Sequence, residues 1–362
     1  MKKWDKYFTI LFFSILVFLA VGIFFEAEDF SYKENRYLAE YPKFSWDKFY
    51  DSSYMTEVEE FIDDHLWERE GWIYLKNSLE SISGKRDIEN VYLGKEGYLF
   101  EKMTSSNFNY ENFKQNIQII EEFSKKYPNT SFLLVPSKGY ILKDKLPSFA
   151  PYIDEEELFK ISKQKSFQFI DVVPTFLEHQ SEYIYYKTDH HWTTLGAFYA
   201  YQTWKKQAFK EDYTWTLKSD NFKGSLDSKV LGINNTQDEI WIANDKSDDE
   251  LIKNSTRDLY DFEKLKEKDQ YQLFLGGNTG EVTFETNQNN KKSLLLFKDS
   301  FANSFIPFLI KDYQYIYIID LRYFNQDIAS YIEKVHPTEI LFLYGINNLT
   351  DDLAIHKLQN ME

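Results

Sequence analysis

Hydrophobic and polar positions follow three different regimes along this chain. From Tyr7 to Phe25 the sequence YFTILFFSILVFLAVGIFF runs nineteen residues without a charge. As a helix rising ~1.5 Å per residue, such a run just spans a ~30 Å hydrocarbon layer. From Tyr54 to Ser81 the apolar residues Phe61, Ile62, Leu66, Trp72, Ile73, Leu75 and Leu79 recur at helical spacing, which predicts one or two amphipathic helices. VYLGKEGYLF, Val91 to Phe100, places two short apolar runs around a glycine-bounded turn and predicts a hairpin. Beyond it, a helical pattern over Asn112 to Lys126 alternates with short continuous apolar runs at Ser131–Pro136, Phe167–Val173, Ser293–Phe297, Tyr313–Asp320 and Glu339–Gly345. Runs of that kind, separated by helices, read as strands of a parallel sheet covered on both faces.

This pattern predicts an α/β domain preceded by an N-terminal transmembrane helix. Three segments follow: 1–26 as cytoplasmic N-terminus and membrane anchor, 27–90 as tether and helical lead-in, and 91–362 as the α/β domain. Within the last, about 225–290 turns polar and acidic, with NDKSDDE and FEKLKEKDQ, then QLFLGGNTGEVTFET alternates like edge strands, and the stretch reads as an inserted lobe. The apolar run ends in bulky Phe24-Phe25 rather than a small-x-small site, so an uncleaved anchor is expected. Lys2, Lys3 and Lys6 precede it while Glu26, Glu28 and Asp29 follow, which orients the N-terminus to the cytoplasm and the rest outside.

Composition narrows the partners. A formal charge of −16 argues against nucleic acid, because phosphate contacts need clustered Lys and Arg. The chain has no cysteine, hence neither a disulfide nor a thiol nucleophile. Aromatic residues make up 19%, which suits stacking on sugar rings as well as simple codon bias.

Candidate chemistry concentrates in KTDHHWTTLGAFYAYQTW, Lys187 to Trp204. If this segment enters as extended chain, Asp189 and His191 share a face and His190 points away. A carboxylate on one imidazole nitrogen would then leave the other to take a proton from a nucleophile. Two further readings stand beside this one. Neighbouring Asp and His also ligate Mn or Zn, as in the DHH phosphoesterases, with DDH at Asp63–His65 as a second piece. A polar pair capping a helix with Trp192 in the core is the third. The nucleophile is expected at Ser300, where the strand SLLLF runs into KDSF and a predicted helix, a strand-to-helix turn that exposes a hydroxyl beside backbone N–H groups. Ser304, one turn on, is the other hydroxyl available.

KDSF after an apolar strand, TDHHW opening a helix, VYLGKEGYLF upstream and LVPSKGYILKDKLP between them resemble the DHHW family. Through it they resemble the SGNH-hydrolase-like proteins of alginate O-acetylation, AlgJ and AlgX. The resemblance implies an SGNH-hydrolase-like three-layer α/β/α domain in permuted motif order, with Ser300 as nucleophile, His191 as base and Asp189 as the acid that orients it. It departs from the pattern at Lys298, where a glycine is usual. Gly277-Asn278 and Gly345 with Asn347 are the possible further oxyanion donors. Arg322, just past a strand end, could steady a negative intermediate or a sugar. Trp192, Arg322 and Asn278 are taken as substrate-facing.

The activity these expectations describe is a serine-dependent O-acetyltransferase or acetylesterase on an extracellular or cell-wall polysaccharide, working through an acyl-enzyme without metal or organic cofactor. For transfer outside the cell, the resemblance implies a membrane-bound O-acyltransferase as acetyl donor. The alternative is a catalytically inactive SGNH-like glycan-binding scaffold of an export complex.

Overall fold

A computed structural model describes residues 3–23, 28–206, 213–244 and 248–360. The chain divides into two compact units, 1–89 with 227–235, and 90–226 with 236–362.

In the second unit the predicted strands assemble into one seven-stranded sheet. Its order is Ile252–Ser255, Glu281–Thr286, Tyr315–Ile319, Ser293–Lys298, Glu339–Gly345, Thr130–Val135 and Gln168–Ile170. The last five run parallel to one another, and the first two close one edge in antiparallel fashion. Leu133, Leu294, Leu296, Leu341 and Leu343 point into one apolar core. Their neighbours Phe132, Leu134, Leu295, Phe297 and Phe342 point into another. Both faces of the central strands are therefore buried, which is why these runs are apolar without alternation. Glu281–Thr286 lies next to the edge and keeps an alternating burial pattern.

Two expectations are corrected here. The stretch 225–290 is not a separate lobe, because it supplies both antiparallel strands of the main sheet. Asp245, Lys246 and Ser247 of NDKSDDE lie outside the described residues. The segment after Ser300 is not an α-helix but two short 3-10 turns, Ser300–Ser304 and Ile306–Leu309, with Pro307 in the second. A proline lacks the N–H that a continuing helix would need.

In the first unit, Ser53–Asp64 and Arg69–Ile82 are the two predicted amphipathic helices. Arg36 and Asp64 form a two-pronged ion pair there, with the second nitrogen-oxygen contact at 2.8 Å. Lys3–Gly22 forms a helix. Among the described residues no helix is long and apolar enough to cross a membrane. This one begins within the charged lead Lys3, Asp5 and Lys6, and its uncharged part, Tyr7–Gly22, reaches only roughly 24 Å at helical rise. Phe24, Phe25 and Glu26, where the expected span ends, lie outside the described residues. Phe8, Phe12 and Val17 on this helix are exposed.

Candidate active site

The base-bearing segment is not extended chain. Tyr185 and Trp192 form an isolated antiparallel bridge, and the Tyr186 N–H donates to His191 O at 3.2 Å, so residues 186–191 close a tight turn. Asp189 Oδ1 accepts from both the backbone N–H of His191 at 2.9 Å and its Nδ1 at 2.6 Å. The Asp–His pairing thus arises from an aspartate folding back on its own turn, not from strand alternation. Thr193 then caps the helix Thr194–Lys205, its hydroxyl accepting from the Gly196 N–H.

Ser300 arrives from the far end of the chain. Its Oγ lies 2.7 Å from His191 Nε2. With Nδ1–H committed to Asp189, Nε2 is the nitrogen that accepts from the serine hydroxyl. Asp299, just before it, caps the turn through the Phe301 N–H at 2.9 Å. Its other oxygen takes the Gly345 N–H at 2.7 Å and Asn348 Nδ2 at 2.8 Å. One buried carboxylate therefore ties together the ends of two adjacent strands and fixes the serine between them. Burial pushes its pKa up to about 6. Gly345 has no room for a side chain, since a Cβ would meet the Phe301 ring at 2.4 Å.

Electrostatics suit proton abstraction. Burial, then the adjacent His190, push the His191 imidazole down to about 4 against the upward pull of Asp189, so the ring is neutral at neutral pH. Burial also disfavours a charged Asp189, but His190, His191 and the Ser225 N–H outweigh it and hold the carboxyl well below the usual range.

The ring is held on both sides. Tyr271 stacks on it with centroids 3.9 Å apart and planes 9° from parallel. His190 covers the other part at 3.8 Å, with its Nδ1 2.8 Å from Ser225 Oγ. The Tyr271 hydroxyl donates to Ser300 O at 3.0 Å.

Three residues hold the turn from outside it. Ser225 N donates to Asp189 Oδ2 at 2.8 Å. Asp238 accepts from Lys187 N and Thr188 N, each at 2.7 Å, and from the Thr188 hydroxyl at 2.5 Å. Buried Lys138 donates to the carbonyls of Tyr186, Lys187 and Asp189 at 2.8, 3.2 and 2.7 Å. Sequence reading missed Tyr271, Ser225, Asp238 and Lys138. Lys138 lies in LVPSKGYILKDKLP, which carried part of the family resemblance, but nothing in its spacing tied it to residue 189.

Replacing Lys138 with methionine takes this donor from the buried Tyr186 and Asp189 carbonyls, while Lys187 O keeps the Leu99 N–H at 2.8 Å, a destabilisation of the order of a few kcal/mol. The expected result is a lowered melting temperature together with a kcat about ten- to a hundredfold below wild type at unchanged KM. Equal kcat in a folded variant would show that the turn needs no such support.

The other predicted residues fall into place unevenly. Trp192 is fully buried, and its indole N–H donates to Phe301 O at 2.9 Å and Ser304 Oγ at 3.0 Å. It has no surface for substrate, and it braces the serine turn instead. Ser304, also fully buried, is excluded as nucleophile by the same contacts. Arg322 is not directed at substrate by any contact, since it is clamped to Asp320 through two bonds of 2.8 and 2.6 Å. Asn278 is exposed, and its Oδ1 accepts from Lys298 Nζ at 2.9 Å and Asn303 Nδ2 at 3.3 Å. Its side-chain NH2 has no acceptor among the described residues. Neither has the Ser300 backbone N–H. The Gly277 and Gly345 N–H groups are taken by Phe274 O and Asp299, and Asn347 Nδ2 by Glu101. Lys298 does not crowd the substrate side, because its side chain is buried and orients Asn278.

Asp189, His190 and His191 lie close enough to share a metal ion. Their donor atoms are, however, committed: both Asp189 oxygens, both His191 nitrogens and Nδ1 of His190 have hydrogen-bond partners. In the second piece of that reading, Asp64 is paired with Arg36, and His65 Nδ1 lies 2.9 Å from Phe61 O. The arrangement is that of an imidazole base and a hydroxyl nucleophile.

Two family models match this chain. The DHHW protein family matches residues 163–319, and the SGNH hydrolase-like domain of acetyltransferase AlgX matches residues 91–225. No curated protein sequence matches. Among solved structures, a DHHW family protein from Eubacterium siraeum is 21% identical, with a TM-score of 0.62 over 75% of this chain and 95% of that one. Bacillus cereus PatB1 bearing a sulfonyl adduct is 24% identical, with a TM-score of 0.63 over 74% and 99%. The O-acetyltransferase domain of Pseudomonas putida AlgJ is 15% identical, with a TM-score of 0.50 over 75% and 99%. These likenesses share the α/β fold with its mainly parallel sheet. Between residues 91 and 319, which hold the Asp–His turn and the serine turn alike, this chain carries the likeness of the DHHW family and of the SGNH hydrolase-like domain of AlgX.

Proposed function

We propose that this chain is a serine-dependent O-acetyltransferase or acetylesterase that modifies an extracellular or cell-wall polysaccharide. The observation that carries the reading is the continuous relay from Asp189 Oδ1 through His191 to Ser300 Oγ, with bonds of 2.6 and 2.7 Å. His191 takes the Ser300 proton as Oγ attacks the acyl carbonyl. The Ser300 N–H and the Asn278 NH2, neither of which has an acceptor among the described residues, are the donors we assign to the oxyanion. His191 then returns the proton to the leaving oxygen, and an acyl-serine remains. A sugar hydroxyl, deprotonated by the same imidazole, takes the acyl group in transfer; water takes it in hydrolysis. The match to a domain described as that of acetyltransferase AlgX supports acetyl as the acyl group.

The polysaccharide acceptor, a membrane-bound O-acyltransferase as donor, and placement outside the cell complete the proposal. The test uses the purified full chain in detergent with nitrophenyl acetate, with and without an oligosaccharide acceptor. Nitrophenolate release and an acetylated oligosaccharide are expected, as is a sulfonyl adduct on Ser300 after treatment with a sulfonyl fluoride. A chain that neither cleaves the ester nor takes the adduct would support the scaffold alternative.

A further inference from the structure

Beside the base-bearing turn lies a cavity that the proposed reaction does not use. It has a volume of about 440 Å³ and is lined by Tyr183, Thr193, Thr194, Trp215, Glu239 and Trp241, with Leu195 at its margin. This is the size range of small-molecule sites. Its floor begins two residues after His191, at Thr193.

The cavity's aromatic wall comes from a two-stranded ribbon, Thr214–Phe222 paired antiparallel with Asp238–Asn244. In that register Trp215 faces Ala243 and Leu217 faces Trp241. The two indoles are therefore diagonal neighbours on one face of the ribbon, about 7–8 Å apart along the backbone. The opposite face carries Ile240 and Ile242, which are buried in an apolar cluster. Burial of that face commits the ribbon's orientation and leaves both tryptophans half-buried at the cavity.

The polar groups there are few and fixed. Trp241 Nε1 donates to Glu239 Oε2 at 2.8 Å, which sets the indole plane. The other Glu239 oxygen has no donor among the described residues, and the residue is exposed. Thr193 and Thr194, both buried, donate their hydroxyls to the carbonyls of Tyr183 and Trp241, each at 2.5 Å, and the Thr193 hydroxyl also accepts from the Gly196 N–H at 3.3 Å. No lysine or arginine lines the cavity. Aromatic faces beside a single carboxylate that keeps one oxygen free fit a neutral, hydroxyl-rich ring: the indoles stack on C–H faces and Glu239 takes a hydroxyl proton. An anionic sugar would meet Glu239 with no compensating cation, and a quaternary ammonium would leave most of the space empty.

We infer that this cavity is a binding subsite for a neutral pyranose unit of a glycan chain. Asp238 buttresses the turn that carries Asp189, and the next residue, Glu239, lines the cavity, so the subsite is built from the same strand end as the active site. The choice of a glycan ligand rests on the proposed function, but the cavity's own chemistry is independent of catalysis.

The experiment is calorimetry and tryptophan fluorescence on the full chain in detergent. The probes are neutral tetrasaccharides of hexose and of N-acetylhexosamine, a uronic acid tetrasaccharide, and choline. At least one neutral probe is expected to bind and quench fluorescence, and Trp241→Ala to weaken it about tenfold or more. Trp241→Phe should restore part of the loss, and a melting curve checks that each variant is folded. The Ser300→Ala chain should bind the same probe as wild type does, so failure of the catalytic reading would leave this result standing. The inference is overturned if no neutral probe binds, if only choline or the uronic acid probe binds, or if a folded Trp241→Ala chain binds unchanged.

Discussion

Ser300→Ala is expected to abolish ester cleavage, lowering kcat on the order of a millionfold, the scale seen when a serine nucleophile of a triad is removed. The alanine lacks the atom that forms the acyl bond, and no other hydroxyl can take its place. Ser304 is buried and accepts from the Trp192 indole. Folding should be little changed, because the serine side chain makes one bond, to His191, while the turn is held by Asp299 and Trp192. The measurement is initial rate on nitrophenyl acetate together with mass spectrometry after sulfonyl fluoride. A variant that still cleaves within about tenfold of wild type, or still labels at the same peptide, would place the nucleophile elsewhere.

Asp189→Asn should come next in size, with kcat lowered about 10⁴-fold. The carboxylate accepts the Nδ1 proton, which keeps Nε2 free for the serine. An asparagine can donate to Nδ1 instead, which would move the ring proton to Nε2, where it faces the hydroxyl it ought to deprotonate. The wild-type pH profile carries a companion expectation. With His191 depressed to about 4, its basic form is present throughout the neutral range and is lost only as pH falls through that value. The limb of kcat/KM that belongs to His191 should therefore have its midpoint near 4, below any loss that begins near 6 as Asp299, which fixes the serine turn, takes up a proton. Removing Asp189 takes away a charge that raises this value, so the acid limb should move lower still. Absence of any limb near 4 would mean that the titrating base is not this buried ring.

Much of the fold was legible because central parallel strands must be apolar on both faces: Leu294 to Phe297 and Ile340 to Leu343 alternate between two cores without any polar position to confuse the pattern. In 225–290 the alternation of Glu281–Thr286 was legible as an edge strand, but its membership of the main sheet was not, because alternation marks a half-exposed strand without saying which sheet it joins. In the candidate site, Asp189 and His191 could be picked out because an Asp-His-His run is rare, and Ser300 because it stands just past the end of a buried strand. The partners that orient them carried no such mark. Tyr271 acts through a ring stack, Lys138 and Asp238 through backbone atoms, and any aromatic or charged residue from a distant segment could have filled those positions. Trp192 was misassigned to substrate because a tryptophan beside a reactive histidine looks the same in sequence whether it faces outward or inward.

The turn that presents His191 has a consequence for how this chain matures. Lys138 comes from the end of one strand, Asp238 from a ribbon a hundred residues later, and the serine from sixty residues beyond that. The set is spread over residues 138–300, so the turn takes its described geometry only once segments distant along the chain have come together.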